Sequence, residues 1–287
     1  MTRFLKGHGT ENDFIVLPDL ANSDPATEIA PLTTEQVRLL CDRHAGIGAD
    51  GVLRVLPVGA ATAAEGLATG HARWFMDYRN ADGSVSEMCG NGARLFARYL
   101  IDAGLESGTT FDLATRGGVR RVSLTDSGDV CLDMGPATCG VGSVARVCGE
   151  DFPGRQVSTT NPHLVCVTDV DVGRLDLSRA PTVDEDLFPD GVNVEFVNIL
   201  VAGEVLHVRM RVHERGVGET RSCGTGACAV AAHALDRIGR DHGEVLVDVP
   251  GGQVRVSVTP ETTVLGGPAV FVASGQINPG WWGSISG

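Results

Sequence analysis

The chain has 287 residues, of which 43% are hydrophobic and 21% are charged, and its formal net charge is −13. This composition is typical of a soluble globular protein, and the length lies near the point at which one hydrophobic core divides into two. The negative charge argues against electrostatic binding of nucleic acid or of an anionic membrane surface.

The N-terminus and the hydropathy pattern predict a cytoplasmic protein. The first residues, Met1 to His8, lack the apolar core of a signal peptide. No apolar run approaches the roughly 20 residues that a membrane-spanning helix needs. We therefore expect no membrane partner.

The cysteines and the single lysine limit the chemistry. The 8 cysteines include no C-x2-C pair and no Cys/His cluster with zinc-finger spacing, so we expect reduced thiols and no metal site. Lys6 is the only lysine of the chain. Because pyridoxal phosphate is bound through a lysine Schiff base, one lysine at the start of the first strand argues against that cofactor.

In the first half, four features follow one another before the chain reaches residue 105. Asn12 precedes an apolar, strand-like run, Asp50-Gly51-Val52 opens another, and a third strand-like run ends at Asn80. A helix is then predicted from Asn91 to Ala103. Its apolar residues recur at helical spacing, with two arginines on another face: Leu95, Phe96, Tyr99 and Leu100, against Arg94 and Arg98.

The second half repeats this order. Asn161 precedes an apolar run, Asp190-Gly191-Val192 precedes another, and a strand-like run leads to Glu214-Arg215. A helix is predicted from Thr225 to Ile238. We interpret the repeat as two α/β units related by pseudo-twofold symmetry, with a small-molecule site in the cleft between them.

Glycine turns divide the remaining segments. Gly104 and Gly239 are predicted helix stops, and residues 243–256 are predicted to form a β-hairpin. The stretches 21–34 and 59–72 are predicted to be surface loops.

Each helix opens on a cysteine within a Cys-Gly-x-Gly-Ala segment, Cys89 in the first half and Cys223 in the second. The first N–H groups of a helix have no acceptor within it and carry about half a positive charge, which favours a thiolate. The N–H groups of the two residues after each cysteine are candidates for binding a substrate carboxylate: Gly90 and Asn91, and Gly224 and Thr225.

Two activated thiols are suited to one kind of reaction. A thiolate removes the proton from a carbon next to a carboxylate, and a thiol returns a proton on the opposite face, with no cofactor. Two alternatives remain open: the cysteines could be buried packing residues, and the glycines could form a phosphate-binding loop. The second is disfavoured because neither segment completes a P-loop or a G-x-G-x-x-G motif.

At these residues the chain resembles the diaminopimelate epimerase family, whose enzymes work without a cofactor in lysine and peptidoglycan-precursor biosynthesis. The resemblance extends over nearly the whole length. It is carried by eight segments: 8–14 (HGTENDF), 80–84 (NADGS), 88–94 (MCGNGAR), 161–163 (NPH), 192–193 (VN), 214–220 (ERGVGET), 222–227 (SCGTGA) and 250–252 (PGG).

The resemblance implies a role for each matching residue. Cys89 and Cys223 would be the proton-transfer pair, and His163 and Glu214 would tune their protonation. Asn12 and Glu214 would contact the amino group at the reacting centre. The other amino-acid head of diaminopimelate would be recognised by four residues: Asn80, Asn161, Asn193 and Arg215.

The family's fold implies an α/β (α+β) chain of two domains, each a strand-rich, barrel-like sheet around a central helix. We expect one domain to comprise residues 1–133 and 276–287, and the other residues 134–275. A homodimer is the assembly expected from the resemblance. One departure is Gly51, where many family members have glutamine, so a side-chain contact from this position is lost.

Three alternatives stay open. Proline racemases and hydroxyproline epimerases also use paired cysteines, but a second amino-acid head, implied by the asparagines and Arg215, disfavours them. Isomerases of the phenazine type replace the thiols by a carboxylate, against which Cys89 and Cys223 argue. A non-enzymatic redox clasp would instead join the two thiols in a disulfide. The Trp281-Trp282 tail is expected to pack the chain end.

Overall fold

The structure is a computed structural model that describes residues 2–18, 32–59 and 66–284. The described residues divide into two compact units, one of residues 1–132 with 268–287 and one of residues 133–267. The chain is strand-rich with few helices, which confirms the predicted two-domain α/β class. In the part of the chain that is described, no helix is long and apolar enough to cross a membrane.

The first unit consists mainly of strands around one long helix. Its strands are β1 (Arg3–Gly9), β2 (Asn12–Pro18), β3 (Gly51–Pro57), β4 (Trp74–Asn80), β5 (Thr110–Thr115), β6 (Gly118–Leu124), the first part of β7 (Val130–Gly135) and β17 (Val270–Gln276). The helices whose full extent lies within its described residues are α1 (Thr34–Cys41), α2 (Gly90–Asp102) and α4 (Pro279–Ser284).

The strand register of the first unit places its candidate residues. β2 pairs with β3 in parallel, so that Phe14 stands beside Gly51, and β3 pairs with β4 antiparallel, so that Gly51 stands opposite Asn80. Helix α2 packs against β1 to β4. Its apolar face is buried, as the helical spacing predicted, with Leu95 and Phe96 fully enclosed. The candidate residues of this unit therefore lie at strand ends beside the start of α2.

The second unit repeats this arrangement. Its strands are β8 (Thr138–Val147), β9 (Glu150–Ser158), β10 (Pro162–Val167), β11 (Asn193–Ala202), β12 (Leu206–Glu214), β13 (Gly218–Thr220), β14 (Gly243–Val249), β15 (Gly252–Val258) and β16 (Thr263–Gly267). Its helices are α3 (Gly224–Arg237) and the 3-10 turn Val172–Arg174. The predicted hairpin over residues 243–256 is formed by β14 and β15.

The register of the second unit matches that of the first. β10 pairs with β11 in parallel, with His163 beside Asn193, and β11 pairs with β12 antiparallel, with Val194 opposite His213. The preceding residue, Asn193, therefore comes next to Glu214. Helix α3 packs against strands β8 to β12 and β14 to β16.

Both central helices end in the same way. Gly104 and Gly239 have φ angles of +67° and +74°, and the N–H of the next residue bonds back to the carbonyl of Leu100 or Leu235. This is the Schellman pattern, in which a left-handed residue closes the helix and glycine carries no steric penalty. The two predicted helix stops are confirmed.

Two details differ from the sequence expectations. The unit boundary at 267/268 places residues 268–275 with the first unit, because β17 pairs with β1. The two Asp-Gly-Val segments are not equivalent: Gly51 is the first residue of β3, whereas Asp190-Gly191-Val192 precedes β11. By strand register, the counterpart of Gly51 is Asn193.

The predicted loops are described only in part. Residues 21–31 and 60–65 lie outside the described residues, Thr34 begins α1, and residues 66–72 contain no helix or strand. At the other end of the chain, Trp281 and Trp282 pack against a buried cluster that includes Ile15, Leu40 and Ile277. The tail therefore packs the chain end, as expected.

Candidate active site

Cys89 is the N-cap residue of α2. Its backbone is extended, and its sulfur accepts a hydrogen bond from the Gly92 N–H at 3.5 Å. Gly90 and Asn91 are the first two residues of the helix, where N–H groups have no acceptor within the helix. Cys89 is half-buried and Asn91 is buried. The thiol therefore lies within the positive end of the helix dipole, as predicted.

The Asn12 side chain connects Cys89 with Asn91. The Cys89 thiol donates to Asn12 Oδ1 at 3.6 Å, and Asn91 Nδ2 donates to the same oxygen at 3.3 Å. Asn12 Nδ2 in turn donates to Asp50 Oδ2 at 2.9 Å. Three predicted site residues of the first unit thus form one hydrogen-bonded group.

Arg94 also hydrogen-bonds to this group, through Asn91, and the helical pattern did not predict this contact. The sequence placed Arg94 on a separate face of α2, but its side chain is completely buried. Its guanidinium donates to Asn91 Oδ1 at 2.9 Å and to Thr10 Oγ1 at 3.3 Å. Arg94 therefore orients the Asn91 side chain.

Asn80 belongs to a different cluster within the first unit. Its Oδ1 accepts from the Tyr78 hydroxyl at 2.6 Å, and its Nδ2 donates to Ser84 Oγ at 3.0 Å. A Cβ on Gly51 would lie 2.6 Å from the Arg79 carbonyl oxygen and 2.8 Å from Tyr78 Cε2. The Tyr78 ring thus occupies the space next to Gly51, so a larger residue there requires Tyr78 to move.

Cys223 occupies the same helix position in the second unit with different neighbours. It is the N-cap residue of α3, ahead of Gly224 and Thr225, and its sulfur lies 3.5 Å from Thr225 Oγ1. Burial raises the pKa of the Cys223 thiol well above its ordinary value, and the negative charges of Glu214 and Glu195 raise it further. At neutral pH this residue is a thiol.

Glu214 is one of the two carboxylates whose charge raises the pKa of this thiol. It ends β12, and its Oε1 accepts a hydrogen bond from the Thr220 hydroxyl across the β12–β13 pair. Burial raises the pKa of Glu214, while hydrogen bonds from Thr220 and Cys223 oppose that rise. Glu214 and Cys223 therefore lie close enough for each group to shift the pKa of the other.

His163 is fully buried in β10 and lies between two partners. Its Nδ1 is 2.7 Å from Glu195 Oε1, and its Nε2 is 3.0 Å from Asn161 Oδ1. Glu195, in the middle of β11, is also fully buried and was not predicted from the sequence. It stands in an apolar run without a motif, so only the pairing of β10 with β11 reveals it.

Asn193 and Arg215 meet at the ends of β11 and β12. The Arg215 backbone N–H donates to Asn193 Oδ1 at 2.8 Å, and Arg215 Nη1 donates to the Asp190 carbonyl at 3.1 Å. The Arg215 side chain is exposed. Its guanidinium keeps further donors available for a planar carboxylate.

One group of side chains in the described residues has the spacing of metal ligands. The donor atoms of Cys139, His233 and Asp236 lie within 4.8 Å of one another. Asp236 Oδ2, however, accepts from Arg155 Nη1 at 2.9 Å. The arginine already balances that carboxylate, and none of these residues belongs to the predicted site.

Sequence comparison identifies the family. A family model described as diaminopimelate epimerase matches residues 4–140 and 155–272. A diaminopimelate epimerase of Mycobacteroides abscessus is 50% identical over 296 aligned positions, covering 99% of this chain and 98% of the relative. Those of Mycolicibacterium smegmatis and Rhodococcus jostii are each 49% identical, and each covers 99% of both chains.

Solved structures show the same fold at low identity. A phenazine biosynthesis protein of the PhzF family from Bacillus anthracis has a TM-score of 0.67 at 17% identity, covering 96% of this chain and 99% of that chain. A hydroxyproline epimerase from Agrobacterium vitis has a TM-score of 0.63 at 17% identity, covering 96% and 90%. By its matches to the family model and to these relatives, the chain belongs to the diaminopimelate epimerase family and is an isomerase.

Proposed function

We propose that this member of the diaminopimelate epimerase family interconverts LL- and meso-diaminopimelate through proton transfer by Cys89 and Cys223, without a cofactor. One observation carries the proposal: both units place a cysteine at the N-cap of their central helix, followed by a glycine-rich first turn. Such a duplication matches a reaction that removes a proton from one face of a carbon and returns it to the other.

The different surroundings of the two thiols support an assignment of their starting roles. Cys223 starts as the thiol, because burial and the neighbouring carboxylates raise its pKa. Cys89 is then the starting base: once its proton leaves Asn12 Oδ1, the Gly92 N–H and the helix dipole stabilise the thiolate. After one turnover the proton positions are exchanged, so the reverse reaction uses the opposite roles.

The helix starts also supply the stabilisation that the reaction needs. Loss of the proton next to a carboxylate spreads negative charge onto that carboxylate. N–H groups of Gly90, Asn91, Gly224 and Thr225 would bind it, and one donor in such a position contributes about 3–4 kcal/mol to the transition state. Asn12 and Glu214, each hydrogen-bonded to a reacting cysteine, would hold the amino group.

Recognition of the unreacted amino-acid head is assigned to Asn80, Asn161, Asn193 and Arg215. These residues lie at or next to the ends of strands, and Arg215 presents an exposed guanidinium. A guanidinium binds a carboxylate through two parallel hydrogen bonds. A substrate with one amino-acid head, such as proline, would leave these groups without a ligand.

The test is a proton-exchange experiment under reducing conditions. The protein is incubated in D2O with LL-diaminopimelate, or separately with L-proline, and NMR follows the isomer ratio and the deuterium at the α-carbon. We expect deuterated meso product from diaminopimelate and no exchange in proline. Absence of exchange in diaminopimelate refutes the proposal, and racemised proline would favour the related fold members instead.

Single replacements then test the two-thiol mechanism. Cys89→Ala and Cys223→Ala should each abolish epimerisation, while Cys148→Ala, an exposed cysteine outside the site, should not. Full activity in either of the first two variants would contradict the assignment. Omitting the reductant tests whether the two thiols also form a regulatory disulfide.

Assembly and location extend the proposal. A homodimer is the expected state, and light scattering after size-exclusion chromatography gives the mass that decides it. A cytoplasmic location is expected because the substrate belongs to amino-acid and peptidoglycan-precursor biosynthesis, and fractionation of the producing cell tests it.

A further inference from the structure

Glu195 and His163 form a buried, hydrogen-bonded pair beside the second thiol. Both side chains are completely enclosed, and Glu195 Oε1 lies 2.7 Å from His163 Nδ1. Glu195 Oε2 has no hydrogen-bond partner among the described residues. Burying such a pair in place of apolar side chains costs stability, so its presence calls for a functional reason.

The first unit shows which residues the fold itself accepts at these two positions. By strand register, Phe14 beside Gly51 corresponds to His163 beside Asn193, and two residues further along β3 and β11, Leu53 corresponds to Glu195. Phe14 and Leu53 are both fully buried. An apolar pair therefore fills the position that the His163–Glu195 pair fills in the second unit.

The second glycine of each helix confirms this correspondence by contact. A Cβ on Gly92 would lie 3.2 Å from Leu53 Cδ2 and 3.4 Å from Phe14 Cζ. A Cβ on Gly226 would lie 2.7 Å from Glu195 Oε1 and 3.4 Å from Cys223 Sγ. The carboxylate thus approaches the first turn of α3, where Leu53 approaches the first turn of α2.

The other ring nitrogen of His163 faces Asn161, so His163 connects Glu195 with Asn161. Asn161 Oδ1 accepts from Thr159 Oγ1 at 3.2 Å and faces His163 Nε2 at 3.0 Å. Both ring nitrogens of His163 thus face acceptor oxygens, an arrangement that the doubly protonated ring satisfies. The amide Nδ2 of Asn161 is then directed away from the histidine as a donor.

We propose that Glu195 is a positioning residue that acts through His163 to fix the Asn161 amide with its N–H groups towards the substrate carboxylate. This inference rests on the proposed function, in which Asn161 binds the unreacted head of diaminopimelate. The negative charge of Glu195 stabilises the positive charge on His163. That charge keeps a proton on Nε2, and the proton holds Asn161 Oδ1.

Glu195→Gln separates the charge of Glu195 from its hydrogen bond. Glutamine still accepts from Nδ1–H, but the ring then becomes neutral and Nε2 loses its proton. The Asn161 amide rotates to donate to Nε2 and turns its oxygen towards the substrate carboxylate. We expect KM to rise about tenfold or more, the effect of one lost hydrogen bond to a charged group, with a smaller change in kcat.

A direct readout of the ring accompanies the kinetics. Nitrogen-15 NMR of His163 at neutral pH is expected to show two protonated nitrogens in the wild-type protein and one in Glu195→Gln. Glu195→Asp keeps the charge and is expected to keep the doubly protonated ring, which provides a second variant if the glutamine protein does not fold. Glu244→Gln, which removes a surface carboxylate paired with Arg255, is the matched control and should change neither readout.

The outcomes separate this inference from the proposed function. If the wild type epimerises diaminopimelate and Glu195→Gln has unchanged KM and unchanged His163 signals, Glu195 has no positioning role. If the wild type does not epimerise, the proposed function fails. The NMR comparison then decides whether Glu195 controls His163, and unchanged signals overturn that part as well.

Discussion

The two central helices start on the same framework but are surrounded by different chemistry. In the first unit, Phe14, Leu53 and Asn80 occupy the positions that His163, Glu195 and Glu214 occupy in the second, by strand register. At these three positions, apolar and neutral side chains lie beside the first helix start, and ionisable side chains lie beside the second. The repeated fold thus supplies the thiol positions, while three substitutions distinguish the environments of the thiols.

The difference has an energetic direction. Phe14 and Leu53 gain stability from burial, about 1.5–3 kcal/mol for each fully buried side chain. His163 and Glu195 must instead offset the desolvation of two polar, ionisable side chains through one short contact. At these positions the first unit therefore gains stability from burial. The second unit loses stability, and the proposed function explains why it keeps these residues.

The largest effect is expected when a charge is placed in the apolar unit. Leu53→Glu buries a carboxylate with no cationic partner at the Phe14 position, and an uncompensated buried charge costs about 3–5 kcal/mol. We expect a protein that fails to fold or melts far below the wild type in a circular-dichroism scan. Leu53→Met, which conserves volume, should lose less than about 1.5 kcal/mol. Comparable stability of the two variants would show that the site is not closed to water.

The reverse exchange gives the second unit the apolar pair. In the double variant His163→Phe with Glu195→Leu, we expect stability equal to the wild type or raised by about 1–4 kcal/mol, as for other buried ion pairs replaced by apolar residues. Epimerase activity should be lost. Urea unfolding and the D2O assay measure the two properties on the same sample. A double variant that is less stable than the wild type but still active would show that the pair contributes to stability and is not needed for activity.

The second glycine of each helix provides a smaller test. Alanine gains about 0.5–1 kcal/mol of helix stability over glycine at either position. At residue 226 its Cβ would meet Glu195 Oε1 at 2.7 Å, whereas at residue 92 it would meet the end of Leu53 at 3.2 Å. We expect Gly226→Ala to lose about 2 kcal/mol, in the range of overpacked cores, and Gly92→Ala to be nearly neutral. Equal losses in urea unfolding would argue against the close approach of Glu195.

The sequence predicted the elements that local patterns determine. The thiols at the helix starts, the glycine stops and the hairpin over residues 243–256 follow from capping chemistry and periodicity, which act over a few residues. The repeated order of features indicated two units. These features account for the two central helices, one hairpin and the positions of Cys89 and Cys223 at the helix starts.

Other features depend on which strands become neighbours, and the sequence did not reveal them. Glu195 lies in an apolar run and becomes a site residue only through the parallel register with His163. Arg94 is completely buried because Thr10 and Asn91 offer it acceptors at the start of α2. The two Asp-Gly-Val segments look equivalent in the sequence because their residues are identical. The strand register shows instead that Gly51 occupies the position that Asn193 occupies in the second unit.

Alkaline pH should weaken the second unit more than the first. Burial raises the pKa of Cys41 in the first unit to about 12, that of Cys166 in the second to about 12, and that of Cys223 well above its ordinary value. Above about pH 8.5 the unfolded chain loses these protons and the folded chain keeps them. The unfolded state then binds fewer protons, so stability falls as pH rises, by up to about 1.4 kcal/mol per pH unit for each thiol.

Urea unfolding at several pH values between about 8.5 and 10.5 measures this slope. Cys223→Ala should make the decline shallower by up to about 1.4 kcal/mol per pH unit. Ser222→Ala, a buried neighbour that does not titrate in this range, should leave the decline unchanged. An unaltered slope in Cys223→Ala would mean that its thiol ionises equally in the folded and unfolded chain.

The smallest expected effect concerns the hairpin that carries Asn12. In the first unit, Thr10 and Glu11 connect β1 to β2 with φ angles of +48° and +61°, and in the second, Cys148 and Gly149 connect β8 to β9 with +51° and +86°. Positive φ at both central residues is the geometry of a type I′ turn, which favours glycine at the second position. Only the second hairpin has glycine, Gly149, at the second position of the turn.

Glu11→Gly should therefore raise the free energy of unfolding by about 0.5–1 kcal/mol. A left-handed conformation costs a non-glycine residue about 1–2 kcal/mol, and the greater backbone entropy that glycine loses on folding cancels part of this gain. Gly149→Glu, the opposite change in the second hairpin, should lose a similar amount. If urea unfolding shows that both variants change the free energy of unfolding in the same direction, the backbone geometry of these turns does not determine their stability.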